Sequence, residues 1–220
     1  MLAPRANVII KIVLIVSLVI IANLLTEWFI DQLKFEITPA NEPTVHQILI
    51  ASMITYTILM AIPFVPGAEI GLAVLMVFGP KIVVFVYLST LAALSLSFVI
   101  GRFIPEKILI QFFKDLHLQR ASQFLAVLEG LDSRQRLSLM MNQSPKRILP
   151  YLLKYRYLAL LLAINMPGNV VIGGGGGIAM MAGLSRLFSP GLYFLTIAIA
   201  VSPIPLALLI FGKSFGEWPL

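Results

Sequence analysis

The chain has 220 residues, of which 59% are hydrophobic and 12% are charged, and its mean hydropathy is +0.97. This apolar share is well above the roughly 45–50% of soluble domains, so the composition predicts one integral membrane domain over 1–220. The chain has no cysteine, which excludes disulfides, thiolate metal sites and a cysteine nucleophile.

The first predicted element is a transmembrane helix at 8–30. It begins with basic residues like a secretory signal, but its apolar core is longer than that of a signal and has no small-x-small cleavage site. We therefore expect a retained helix with a cytoplasmic N-terminus. It leads outward into a short acidic loop at 31–46.

The segment 47–79 is too long for one span and too short for two. IPFVPGAEIG interrupts it, where two prolines remove backbone donors and Gly67 permits a tight reversal. The pattern predicts a re-entrant hairpin that turns at Pro66 and Gly67. A helix at 81–101 then crosses inward, with small residues on one packing face: Ser89, Ala93, Ser97 and Gly101.

A polar connection at 102–151 follows, and most of the cations lie in it or at its borders. The positive-inside rule therefore places 102–151 in the cytoplasm. Its IPEKILIQFFKDLHL stretch has the pattern of an amphipathic helix, which either lies on the membrane surface or covers the hairpins. Asp132 or Ser133 can start a further helix, and Ser144 with Pro145 is a good start for the next.

The segment 152–186 repeats the design of 47–79 from the opposite face of the membrane. It is predicted to be a second re-entrant hairpin that turns at Pro167 and Gly168, and a helix at 190–212 then crosses outward. The fold class predicted is thus an all-α polytopic membrane protein with two inverted re-entrant hairpins, transmembrane helices and cytoplasmic amphipathic helices.

The run Gly173–Gly177 follows the second break. It fails as a P-loop, because Gly174 and Gly175 stand where Lys and Ser/Thr are required. The dinucleotide pattern ending at Ala179 lacks the acidic residue expected about 20 positions later. We expect instead a broken helix whose bare backbone presses against the first hairpin around Gly67 and Gly71.

Patterns of enzyme and metal sites are also excluded. GKSFG, at 212–216, matches a nucleophile elbow, but no histidine follows it. The two histidines, His46 and His117, lie on opposite sides in the predicted topology. We therefore expect no enzyme activity, no cofactor, no metal and no nucleic acid partner.

Glu69 follows the first Pro-Gly break and is predicted to sit at membrane depth. A charged carboxylate at the bilayer centre costs about 2.5–3.5 kcal/mol even on the lenient scale, so it should face a cavity, pair with a cation or be protonated. It is either a proton-coupling or cation-binding group, or a carboxylate that stabilises a helix N-terminus.

Four further residues are candidates for binding a lipid headgroup. Asn165 and Asn169 flank the second break, where they either bind a headgroup or cap freed backbone groups. Arg102 ends the crossing helix and Arg156 begins the second hairpin. Each arginine either binds phosphate or anchors the chain at the interface.

The residues resemble a known superfamily. PFVPGAEIGLAVLMVFGP, then FVIGR, a basic loop, and R-x-x-x-LLLAINMPGN with a small-residue return are similar to the DedA and VTT-domain (SNARE-associated Golgi protein) superfamily over 60–212. The five glycines in the second hairpin indicate a divergent member. The resemblance implies two opposed re-entrant hairpins that move lipids between leaflets, with Glu69, Arg102 and Arg156 at the positions of the family's acidic and basic residues.

Three functions are compatible with the sequence. The first is a scramblase- or flippase-type transporter of phospholipid or polyprenyl-phosphate lipid in a bacterial inner membrane, with an anionic headgroup as substrate and a proton as possible coupling ion. The second is a proton- or ion-coupled carrier of a small solute. The third is a membrane scaffold without transport activity, and a homo-oligomer is compatible with all three.

Overall fold

The computed structural model of the chain describes residues 10, 13–14, 16–17, 20–21, 23–28, 42–115, 117–143 and 149–211. All regular elements in these residues are helical, which confirms the predicted all-α class. The residues described between 10 and 28 are helical, consistent with the predicted helix at 8–30, and most of the predicted loop at 31–46 lies outside the described residues.

The segment 47–79 contains two antiparallel helices, α1 (Glu42–Ala61) and α2 (Gly67–Phe78), here called the first helix pair. A β-carbon at Gly67 would lie 2.7 Å from Cγ of Met60, and one at Gly71 would lie 2.9 Å from Oη of Tyr56. The two glycines therefore let α2 pack closely against α1.

The helix α3 (Val83–Phe103) follows a short 3-10 turn at Pro80–Ile82. Its 21 residues span about 31 Å at 1.5 Å per residue, close to the thickness of a hydrocarbon core. Among the described residues, α3 is the one unbroken helix long and apolar enough to cross a bilayer. Ala93, Ser97 and Gly101 are buried, as predicted for the small-residue face.

The polar connection at 102–151 forms short helices beyond the end of α3: α4 (Glu106–Asp115), α5 (Gln119–Leu128), α6 (Ser133–Gln143) and α7 (Leu149–Lys154). The side chains of Asp132 and Gln135 accept hydrogen bonds from each other's backbone N–H, at 2.7 and 3.0 Å. This reciprocal cap starts α6 at Ser133, as predicted. The predicted start at Ser144 and Pro145 lies outside the described residues.

The segment 152–186 contains α8 (Arg156–Asn165), a 3-10 turn (Asn169–Ile172) and α9 (Gly174–Ser185). The chain reverses between α8 and α9, so that the start of α8 lies near the end of α9. Nε of Arg156, at the start of α8, donates a 2.9 Å hydrogen bond to the carbonyl of Leu187, just beyond α9. We call α8 and α9 the second helix pair.

Each helix pair is interrupted by a break, at residues 62–66 in the first pair and 166–173 in the second. Both breaks pack against the middle of α3. Oγ of Ser97 donates a hydrogen bond to the carbonyl of Ala61 at the end of α1. A β-carbon at Gly175, near the start of α9, would lie 3.2 Å from Cδ2 of Leu94.

The two pairs open toward opposite ends of α3. Met53 of α1 contacts Ser89 near the start of α3, with 3.7 Å between Sδ and Oγ. Gly183, near the end of α9, instead contacts the backbone of Phe98 and Arg102. The α8–α9 pair therefore approaches α3 from the end opposite to the α1–α2 pair.

The final segment differs from the single crossing helix predicted at 190–212. It consists of α10 (Pro190–Val201) and α11 (Pro203–Phe211), which are bent by 43° where they meet. Pro203 and Pro205 supply no backbone donors, which accounts for the bend. The two helices together are long and apolar enough to form one broken span.

The close contact between α9 and α3 is testable at Gly183. A β-carbon there would lie 2.1 Å from the carbonyl oxygen of Phe98 and 2.8 Å from the backbone nitrogen of Arg102. Because backbone atoms cannot move aside as a side chain can, Gly183→Ala should lower stability by about 1–3 kcal/mol. The measurement is unfolding of the purified protein in detergent.

Gly191→Ala is the matched control, because a β-carbon at Gly191 has no atom within 4 Å and the position lies in a helix. This variant should match or slightly exceed the stability of the wild type. Equal stability of the two variants would contradict the close packing of α9 on α3.

Candidate functional site

The breaks of the two helix pairs touch each other directly. The backbone N–H of Phe64 donates a 2.7 Å hydrogen bond to the carbonyl of Gly173. A β-carbon at Gly174 would lie 2.8 Å from the carbonyl oxygen of Val65, and one at Gly176 would lie 2.4 Å from that of Met60. The backbone of the glycine run therefore packs directly against the backbone of the first break.

This contact corrects part of the prediction for the glycine run. The run does meet the first helix pair, but at residues 60–65 rather than around Gly67 and Gly71, whose nearest neighbours are Met60 and Tyr56 of their own pair. The difference arises because α2 packs back on α1. Gly67 and Gly71 thereby pack against Met60 and Tyr56 of α1.

The reversal in the first pair also falls at an unexpected residue. Gly67 is the first residue of α2, and Pro66 immediately precedes that helix. The left-handed conformation belongs to Phe64, whose φ is 66°, an outlier for a bulky side chain. In the second pair Gly168 has a φ of 73°, as expected for a glycine at a turn after Pro167.

Glu69 lies in the first turn of α2, two residues after its start, and its side chain is exposed. The residue before the helix, Pro66, provides no side-chain cap. Within the described part of the chain, the Glu69 carboxylate forms no hydrogen bond or ion pair. It is therefore a free acceptor beside the contact between the two breaks.

Asn165 and Asn169 both use their amide nitrogens to bind backbone carbonyls near the second break. Nδ2 of Asn165 donates to Leu161 at 3.0 Å and to Ala200 of α10 at 2.9 Å. Nδ2 of Asn169 donates to Ile164 at 2.6 Å. These contacts match the capping alternative for both asparagines.

Arg102 and Arg156, far apart in sequence, bind consecutive carbonyls of the loop after α9. Nη1 of Arg102 donates to Phe188 at 3.1 Å, and Nε of Arg156 donates to Leu187 at 2.9 Å. Both guanidinium groups are half-buried. A guanidinium has five N–H donors, so each contact leaves donors that an anion can use.

A third side chain, which the sequence did not predict, binds the carbonyl that precedes these two in the loop. Oγ of Ser133, at the start of α6, donates to the carbonyl of Arg186. Three consecutive carbonyls, 186 to 188, thus bind side chains from α6, α8 and α3. The α9–α10 loop is the junction of these elements.

An ion-pair cluster centred on Glu106 lies beside this loop and was also missed. The Glu106 carboxylate pairs with Nη2 of Arg136 and, at 3.1 Å, with Nη1 of Arg186. The Arg136 side chain is only 3% exposed. The one available signal was Glu106 itself, an acid that directly follows Pro105 at the start of α4.

The described residues contain no group of three or more histidine, cysteine, aspartate or glutamate side chains that could hold a metal ion. Comparison of the chain with protein-family models, curated proteins and solved structures gives no match. The functional argument therefore depends on the residues and their geometry.

Gly176 is the position at which the contact between the breaks can be tested. Its β-carbon would lie 2.4 Å from the carbonyl oxygen of Met60 and 2.9 Å from that of Ala61. Gly176→Ala should separate the breaks and lower the free energy of unfolding by about 1–3 kcal/mol. Detergent unfolding measures the loss.

Gly175→Ala is the control within the same run. Its β-carbon would meet only the ends of flexible side chains, Leu94 at 3.2 Å and Met60 at 3.4 Å. We expect this variant to lose less than about 1 kcal/mol, because such side chains can shift and alanine favours helix. A larger loss at Gly175 than at Gly176 would contradict the backbone contact.

The ion-pair cluster gives a separate prediction. Glu106→Gln would leave the buried Arg136 guanidinium without a charged partner, at a cost of about 3–5 kcal/mol. Glu129→Gln, at an exposed glutamate after α5, serves as the control and should change stability by less than about 0.5 kcal/mol. Equal thermal stability of the two variants would contradict a structural role for Glu106.

Proposed function

We propose that the chain is a polytopic membrane protein in which both helix pairs are re-entrant. Support comes from the position of their breaks, which pack against the middle of α3, the one unbroken helix among the described residues that is long and apolar enough to span. It also comes from the opposite directions in which the pairs open. A hairpin that reverses at that level would leave the membrane on the side from which it entered.

The surface of the described helices supports a lipid environment. Apolar side chains are exposed at helical spacing along α1, α3 and α10, a pattern that soluble monomers rarely have. They include Ile50, Ile54 and Ile58 on α1, Val84, Phe85 and Leu88 on α3, and Leu192, Leu195 and Ile199 on α10. Glu69 and Lys81 are the charged residues in 47–101.

In this membrane, the protein would move lipids between leaflets. The observation that carries this proposal is the environment of the Glu69 carboxylate. This carboxylate is exposed and unpartnered among the described residues, next to a break in an otherwise apolar helix pair. An ionisable group at membrane depth is a functional candidate by default, because its burial in lipid is costly. It would contact a passing headgroup or carry a coupling proton.

Arg102 and Arg156 would contribute at the cytoplasmic end. They hold the α9–α10 loop with one donor each, and their remaining donors would attract the phosphate of a lipid headgroup. The resemblance to the DedA and VTT-domain superfamily agrees with this arrangement. The proposed substrate is thus a phospholipid or polyprenyl-phosphate lipid with an anionic headgroup.

The packing of the small residues disfavours the scaffold alternative. Gly101 and Gly183 lie in the contact between α3 and α9, where added β-carbons would lie 2.2 Å and 2.1 Å from backbone oxygens. These positions are therefore used inside the fold and are unavailable for assembly with a second protein. A solute carrier remains the alternative to be separated by experiment.

Reconstitution into vesicles with headgroup-labelled lipids tests the proposal. Wild-type protein should expose inner-leaflet label to a membrane-impermeant quencher faster than empty vesicles do. Glu69→Gln should bring the rate down toward that of empty vesicles, since the charge and the titratable proton are both removed. Glu129→Gln, outside the helix pairs, should keep the wild-type rate.

Arg156 needs two variants, because it also holds the Leu187 carbonyl. Arg156→Lys keeps the charge but loses bidentate phosphate binding, whereas Arg156→Ala loses both. We expect the rate to fall in the order wild type, Lys and Ala. Failure of correctly folded wild-type protein to move lipid faster than empty vesicles would contradict the proposed function.

A further inference from the structure

The net charge of the chain is concentrated in one segment. Residues 102–156 contain ten lysines and arginines and four acids, which equals the +6 of the whole chain. The remaining residues have six cations and six acids and are neutral overall. The end of the fold where α4 to α7 lie is therefore complementary to an anionic surface.

The helices α4 and α5 are loosely attached to the rest of the structure. No residue of α4 is buried, and its main helix contact is α5. Glu106, at the start of α4, forms ion pairs with Arg136 of α6 and with Arg186 at the end of α9. These helices therefore do not cover the helix pairs, which was one of the two alternatives left open by the sequence.

Apolar side chains of this region are nevertheless exposed. Phe124 and Val127, 37% and 54% exposed, lie three residues apart and so share one side of α5. Ile108 on α4 and Leu118 before α5 are exposed as well. Phe103, at the end of α3 and three residues before α4, is 79% exposed.

Exposed basic side chains lie on α4 as well. Lys107 and Lys114, seven residues apart on one face of α4, are exposed and form no ion pair with any described residue. A helix that lies in a headgroup layer has this composition, with an apolar side inserted and lysines reaching phosphates. The face continues the apolar surface of α3, which the proposed membrane topology already places in lipid.

We propose that α4 and α5 dock on the headgroups of an anionic leaflet, with Phe124 and Val127 inserted and Lys107 and Lys114 on lipid phosphates. The docking is a contact with bulk lipid, separate from the contact between the breaks where transport is proposed. It depends on the chain being embedded in a membrane but not on its moving lipid.

The absence of cysteine makes the docking measurable in the full chain. Val127→Cys carries a nitroxide label on the apolar side of α5, and Ala126→Cys carries it at an exposed position about 100° further around the same helix, away from Phe124 and Val127. Each variant is reconstituted into vesicles of phosphatidylcholine with phosphatidylglycerol. Relaxation by oxygen, which concentrates in lipid, is compared with relaxation by a water-soluble nickel chelate.

We expect the Val127 label to be relaxed mainly by oxygen and the Ala126 label mainly by the nickel chelate. In phosphatidylcholine alone or at high salt, the Val127 label should become more accessible to nickel. Predominant nickel relaxation in anionic vesicles would overturn the docking. Protection from both reagents would overturn it too, because protein, either the helix pairs or a second copy, would then cover the site.

A charge variant separates lipid attraction from simple apolar insertion. A lysine near an anionic surface changes the docking equilibrium by about fivefold, so Lys107→Gln with Lys114→Gln should weaken it by about 25-fold. The Val127 label should then need more phosphatidylglycerol to reach the same oxygen relaxation. An unchanged lipid dependence would overturn the role of the two lysines. Because label accessibility is read without transport, failure of the transport proposal leaves this test valid.

Discussion

The fold depends on backbone contact at the glycines of α9. Glycines at both ends of this helix let carbonyl groups of its neighbours approach to distances that a methyl group would block: Met60 and Val65 of the first helix pair at one end, and Phe98 of α3 at the other. Without these contacts the two breaks could not meet beside α3. The Glu69 carboxylate would then have no defined position relative to the second pair.

Sequence patterns were informative where the signal is local. Pro66, Pro167 and Gly168 lie at the breaks because proline lacks a donor and glycine accepts a left-handed backbone, and both effects act within a few residues. The cap at Asp132 was recognisable for the same reason. Local chemistry did not identify Phe64 as the left-handed residue, because its conformation is held by a hydrogen bond to Gly173, more than a hundred positions away.

The arginines show the limit of such reasoning most clearly. The position of Arg102 at a helix end and of Arg156 at the next helix start was evident, but their carbonyl partners lie 86 and 31 residues away. Glu106 and Arg136 form a buried ion pair although they lie 30 residues apart in the chain, and no sequence pattern predicts this pair. Structural and ligand-binding roles coexist at Arg102 and Arg156, because one guanidinium can serve a carbonyl and an anion at the same time.

The α9–α10 loop, bound through the carbonyls of residues 186 to 188, has a further consequence. Side chains from α3, α6 and α8 attach to three successive peptide groups, which cannot move independently because the chain between them is continuous. A motion that separates α8 from α9 at this end would strain all three bonds together. Opening here would be cooperative, with two discrete states rather than a gradual widening.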